Sequence, residues 1–405
     1  MKKFLSILLI VVLLVSLAVS LIACDSDELK GLTYTDENGN EVTVKKIKKT
    51  DDPETVAADI MALASKEENI AALTQLLITL DVNGSIAGTQ GETAFDNNVN
   101  ANVQLGIACP ADKNQALSDF LEASKIYLKA NITGKAPKTI PIDDDALERI
   151  DFTETANYNE QIEAFIDEYE IYTKLALSED AAASLSALIP SFADVNNKVG
   201  VVTGIPGGAP TIKYLIAAKL DSKIDLGKAF TDYNSWLKGG KAIAEAAEDD
   251  DEGEGEATTE ESTVPEYTEF QTLVNIVKIF HIQITKTKGS VVTFEAAFNA
   301  DSVAQIKALY GDKAAEEFSE FNGSVTATLE LDAKTMMDFT LTLNCGDLLK
   351  EVFQDEVAEG TTITSTTASI TLSVSTQTTI PTLTDAEKEG ATALDIGALV
   401  SMLIK

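Results

Sequence analysis

Two distant stretches of this chain carry the same punctuation in the same order. Asn83-Gly84-Ser85-Ile86, Cys109 and Thr139-Ile140-Pro141 recur as Asn322-Gly323-Ser324-Val325, Cys345 and Thr379-Ile380-Pro381. The separations are 239 residues from Asn83 to Asn322, 236 from Cys109 to Cys345 and 240 from Thr139 to Thr379. Three landmarks at near-constant offset indicate an internal duplication, so the fold has to be one that two similar units can build.

The patterns between the landmarks agree. Val99, Ala101, Val103, Leu105, Ile107 and Cys109 alternate with Asn100, Asn102 and Gln104, and Met337, Phe339, Leu341, Leu343 and Cys345 alternate with Asp338, Thr340, Thr342 and Asn344. Period-two alternation marks a strand with one face in a core. Each cysteine is followed by a short helical stretch (113–121 and 348–356) and a further strand, with Ile126, Leu128, Ala130 and Ile132 on one face in the first copy and Ile370, Leu372 and Val374 in the second. Upstream, Asp52-Pro53-Glu54 opens a helix whose apolar residues run from Val56 through Ile60, Leu63, Ile70, Leu73 and Leu77 to Leu80. Val303, Ile306, Leu309, Tyr310 and Phe318 repeat this in the second copy. A hairpin precedes each helix, turning at Asn38-Gly39 and at Lys288-Gly289. The expected class is therefore α+β: antiparallel sheets packed on amphipathic helices, each copy ordered hairpin, helix, strand, strand, helix, strand.

The expected divisions are a signal segment 1–23, a lipidated N-terminus and tether 24–31, a first repeat unit 32–145 and a middle segment 146–246. An acidic disordered loop 247–266 and a second repeat unit 267–405 follow. In the middle segment, Ile162, Phe165, Ile166, Tyr169, Tyr172 and Leu175 have helical spacing. Ser178 caps a helix that runs to Ile189, and Ile212–Leu220 reads as a strand. Thr384-x-x-Glu387 is a capping box opening a terminal helix that carries Leu394, Ala398 and Leu399.

The first residues give an address. Lys2 and Lys3 precede a run that is apolar from Phe4 to Ala23 except for Ser6, Ser16 and Ser20. Charged and hydrophobic regions in this order form a secretory signal, although the run is also long enough for an uncleaved anchor. Leu21-Ile22-Ala23-Cys24 resembles the lipobox of bacterial lipoproteins. That resemblance covers residues 1–24 and implies cleavage before Cys24, a diacylated cysteine carrying palmitate-type chains, and a protein held in the cell envelope on the extracytoplasmic face of a membrane. Two acyl chains suffice for stable anchoring where one does not.

Removing residues 1–23 takes the formal net charge from −34 to −36. So negative a chain is a poor partner for nucleic acid or anionic headgroups. Arg149 is the sole arginine, which excludes a site built on an Arg cluster, and His281 is the sole histidine, which leaves a triad or multi-His metal site little to work with.

Few side chains suggest chemistry. Ser235-Trp236-Leu237-Lys238 has a serine–lysine spacing used by penicillin-recognising enzymes, but Lys286-Thr287-Lys288-Gly289 misses the companion Lys-Thr-Gly strand, and a plain helix end explains it. Asp250, Glu252, Glu254, Gly255 and Glu261 match part of a calcium-loop template, with Glu at two positions that favour Asp or Asn; a solvated acidic run is the simpler reading. Cys109 and Cys345 could form a disulfide in an exported protein, or each could be a small core residue. His281, between Phe280 and Ile282, reads as a structural residue in a strand. Thr361–Thr379 is dense in Thr and Ser, as a polar strand face requires.

No catalytic residue, cofactor or metal site is expected. The pattern of curved antiparallel sheets against helices resembles the lipoprotein-carrier type of fold, which implies an apolar ligand between sheet and helices; Leu73, Leu77, Leu341 and Leu343 are the expected pocket. The alternative is a cell-surface interaction, adhesion or scaffold protein with a solid core. The expected partners are thus the membrane, through the N-terminal lipid, and an apolar small molecule or a surface partner.

Overall fold

The computed structural model describes residues 32–36, 38–44, 46–64, 74–110, 117–138, 150–223, 267–316, 318, 323–335 and 337–397. In chain order the elements are β1 (Leu32–Thr35), β2 (Glu41–Val44), α1 (Pro53–Ala64), β3 (Gln75–Gln90), β4 (Thr93–Ala108), α2 (Leu117–Ala123) and β5 (Lys125–Pro137). Next come β6 (Thr155–Asp167), β7 (Glu170–Ala176), α3 (Glu179–Leu188), α4 (Phe192–Val195), β8 (Val199–Thr203) and α5 (Gly208–Lys223). Then follow α6 (Glu269–Ile279), β9 (Gln283–Lys288), β10 (Val291–Phe298), α7 (Ala300–Tyr310), α8 (Asp312–Glu316), β11 (Val325–Asp332) and β12 (Phe339–Asn344). The chain closes with α9 (Gly346–Glu356), β13 (Thr361–Ser375), α10 (Asp385–Glu389) and β14 (Thr392–Asp395).

The chain divides into two compact units, Met1–Glu68 with Ile224–Leu348 and Asn69–Lys223 with Leu349–Lys405. In the first, β1 and β2 pair as a separate hairpin, and β12-β11-β10-β9 are antiparallel neighbours. Asn38 and Gly39 make the turn of β1–β2, with Gly39 at φ 79° and the Asp36 carboxylate accepting from the backbone N–H groups of Asn38 and Asn40. The α1 helix starts where its signals predict: Asp52 accepts from the N–H of Thr55 at 3.0 Å, and Pro53 takes the first helical position.

Alternation along β10, β11 and β12 sends Val292, Phe294, Phe298, Val325, Leu329, Leu331, Phe339, Leu341 and Leu343 to one buried face. The α1 and α6 helices pack on each other and bury Val56, Ile60 and Leu63 from one and Leu273, Val274 and Val277 from the other.

In the second unit the strand order is β14-β8-β7-β6-β5-β4-β3-β13. All neighbours are antiparallel except β14 and β8, which are parallel. Strands β3 and β4 are each 16 residues long and pair over their full length.

The expected α+β class is overturned. Among the described residues strand outweighs helix, and the sheet is mixed. Two segments account for much of the difference. Residues 162–175, read as a helix, are β6 and β7, turned at Glu168 (φ 44°). At that end of the sheet both faces are buried, Ile166 on one and Phe165 and Tyr172 on the other, so the apolar spacing loses its period of two. Leu77 and Leu80, read as the end of the first helix, lie in β3, and α1 ends at Ala64.

The reverse error occurs at 212–220. That stretch belongs to α5, which buries Ala209, Lys213 and Ala217 at helical spacing and exposes Tyr214, Leu215 and Ile216. Thr384 does form a capping box with Glu387, but its helix ends at Glu389 and Leu394 is in β14; Ala398 and Leu399 lie outside the described residues. Ser178 caps α3 through its side chain, which accepts from the N–H of Ala181.

Candidate functional site

The second unit carries one nearly uninterrupted aliphatic surface. Register and alternation put Leu76, Ile78, Leu80 and Val82 of β3 on the same face as Val99, Ala101, Val103, Leu105 and Ile107 of β4. Ile126, Leu128, Ala130 and Ile132 of β5 continue it, as do Ile162, Ala164 and Ile166 of β6 and Ile370, Leu372 and Val374 of β13. The rows run straight across: Leu372, Leu80, Val103, Ala130 and Ile162 are successive partners, and so are Ile370, Val82, Ala101 and Ile132.

Three margins of this face are covered and its centre is open. At one end Ala209 of α5 packs on Ile126, Ile166 and Ile171, with Leu105 and Ile212 beside them. At the other, Phe152 stacks on Phe95 at 5.0 Å between centroids, with Ile150, Ile363 and Phe353 around the pair. Towards β14, Ile189 and Val195 cover Leu175 and Leu394. Between these flanks Val82, Val99, Val103, Leu128, Ile132 and Ile162 stay 37–45% exposed. Side chains of this size normally gain about 1.5–3 kcal/mol from full burial, so a contiguous open patch is a surface that a ligand or partner can stabilise.

Charge is almost absent from the face. Among the positions of β3–β6 and β13 that point to it, Glu160 alone is charged; it opposes Ile132 of β5, and its Oε2 accepts from the N–H of Ser178 at 2.8 Å. At the α5 end, the Lys213 side chain is 1% exposed and donates to the carbonyl of Glu122, 3.0 Å away, in the last turn of α2. A helix C-terminus favours a cation. Burial nevertheless pushes the lysine's pKa down, against the opposing pull of Asp167 and Glu122.

The opposite face is polar over its centre, where Asn102 donates to Asp81 at 2.6 Å and Gln161 to Glu163 at 3.2 Å. One end of it is closed by the segment after β13. Ile380 and Leu383 pack on Tyr127, Phe165 and Tyr172, and Ile380 lies against Gly106. Two ion pairs hold the segment: Lys388 to Asp167 at 2.7 Å and Lys174 to Glu387 at 2.8 Å. Burial alone would raise the Asp167 pKa, but its hydrogen bonds with Lys388 and Lys125 outweigh that and lower it. The Lys174 hydrogen bond, with those from Thr384, takes Glu387 down to about 2. The recess beneath Pro381 and Thr382 is about 20 Å³, space for roughly one water molecule, and too small for a ligand.

The expected pocket is not where the open apolar surface lies. Leu341 and Leu343 are 3% and 2% exposed and fill the core of the first unit. Leu77 is in the second unit, on the face that carries Tyr127, opposite the aliphatic one. Leu73, Cys24, Ser235–Lys238 and the acidic positions Asp250, Glu252, Glu254, Gly255 and Glu261 lie outside the described residues. Cys109 and Cys345 are both thiols, the first half-buried and the second buried, where desolvation raises its pKa. His281 is not in a strand: it occupies an exposed turn between α6 and β9 at φ 47°.

The open face itself was half visible in the sequence. The alternation over 99–109 and 126–132 signals its apolar side, but that signal reads as core and says nothing of a missing cover. Among the described residues, no group of three or more His, Cys, Asp or Glu could hold a metal ion, and no helix is long and apolar enough to cross a membrane. No family model matches the chain, and no curated protein matches it.

Proposed function

We propose that this chain is a membrane-anchored extracytoplasmic lipoprotein, non-enzymatic, which holds an apolar or lipid ligand against the open aliphatic face of β3–β6 and β13. The observation that carries the reading is the centre of that face: six large aliphatic side chains on four adjacent strands, half-exposed and framed by packed flanks. An acyl chain laid across the strands would remove them from water without needing a single polar contact. The anchor rests on the lipobox-type segment ending at Cys24.

Native mass spectrometry of residues 25–405, purified from the host cells, tests the reading. A stable extra mass released by organic solvent is the expected result. A clean mass, with no uptake of added lipids, would refute it in favour of a surface-interaction protein.

A further inference from the structure

We infer that the ligand of the aliphatic face ends in a group that donates hydrogen bonds and carries no negative charge, as in a long-chain amine or alcohol, and that Glu160 selects it. This rests on the reading of that face as a ligand site. Glu160 is the one charged side chain among the positions of β3–β6 and β13 on this face, and it borders the open centre through its cross-strand partner Ile132. The N–H of Ser178 fixes the carboxylate through Oε2 at 2.8 Å and leaves Oε1 without a hydrogen bond among the described residues.

A polar end lying beside Ile132 meets this carboxylate over aliphatic walls that screen charge poorly. A hydroxyl or ammonium donates to Oε1 there, whereas a carboxylate or phosphate is repelled. A buried cation at the α5 end of this face is Lys213, whose ammonium is engaged by the Glu122 carbonyl. A ligand carboxylate steered by Lys213 would produce the opposite preference.

Displacement of the uncharged dye Nile red from the chain beginning at Asp25, which keeps every described residue, separates these cases. Hexadecylamine, hexadecanol and hexadecanoic acid share one tail and differ only at the head. The amine and the alcohol are expected to displace the dye about tenfold more tightly than the acid. Glu160→Gln keeps an acceptor for the Ser178 N–H and should bring the three within about twofold of one another. Lys213→Met should leave the order unchanged. An acid that binds as tightly as the alcohol, or an order that survives Glu160→Gln, overturns the inference while leaving the ligand site standing. If neither dye nor any of the three binds, the ligand site itself is refuted and the inference falls with it.

Discussion

Replacing Val82, Val99 and Val103 together by Thr should empty the face of its ligand without unfolding the sheet. Each change puts a hydroxyl in place of a methyl at nearly constant volume and keeps the β-branch that suits a strand. The three sites lie near one another on β3 and β4, where Leu80 opposes Val103 and Gly84 opposes Val99. In the free protein they are 37%, 44% and 38% exposed for Val82, Val103 and Val99, so water still reaches the new hydroxyls and each costs under about 1 kcal/mol of stability. A bound alkyl chain removes that water and offers no hydrogen bond, which costs roughly 1 kcal/mol per hydroxyl at the low end of mutational estimates. The triple variant should therefore lose about 3 kcal/mol of binding, about two orders of magnitude in Kd. Nile red titration reads the affinity and urea denaturation the stability. Binding within twofold of the parent by a folded triple variant would refute the reasoning.

Three further outcomes follow from other parts of the chain. Asp59, 4% exposed in α1, has its pKa raised by burial from 3.8 to about 6. The folded chain thus keeps a proton that the unfolded chain loses, and stability should climb by about 3 kcal/mol as pH falls from above 6 to below 4; Asp59→Asn should flatten that slope in urea titrations, and an unchanged slope would contradict it. Glu387 is shifted the other way, so its contribution is complete above its usual 4.5 and is lost as pH falls through about 2; Lys174→Met should lower the hydrogen-exchange protection of Ile380–Glu389 relative to the parent at the same neutral pH, and equal protection in the two would contradict it. A Cβ at Gly106 would stand 2.8 Å from Cγ2 of Ile380 and 3.3 Å from Cβ of Tyr127, so Gly106→Val should cost about 1–3 kcal/mol in thermal unfolding.

Local signals in the sequence were reliable where one residue type performs one physical task. Asp52 and Pro53 start α1, Ser178 caps α3, Thr384 and Glu387 close a capping box and Asn38-Gly39 turns a hairpin, each by satisfying or relaxing the backbone next to it. Periodicity failed where tertiary packing sets the pattern. Phe165 and Ile166 are both buried because β6 is covered on both faces at that end, and the resulting cluster imitates a helix. Lys213 is buried inside α5 because a carbonyl at the end of α2 receives it, so the helix shows a charge where the pattern demands an apolar residue. The openness of the aliphatic face was missed for a different reason. Val103 and Ile132 look in sequence like any core-facing strand residues, and only the distribution of the covering helices leaves them open.

Photolabelling with a long-chain alkyl diazirine, followed by peptide mapping, probes where the ligand lies. Insertion should concentrate on Val99–Ile107 and Ile126–Ile132, and excess unlabelled ligand should suppress it. Labelling spread over Tyr169, Leu188 and Tyr214, which are exposed elsewhere in the same unit, and insensitive to competitor would show a surface that is merely apolar, with no ligand site on the sheet.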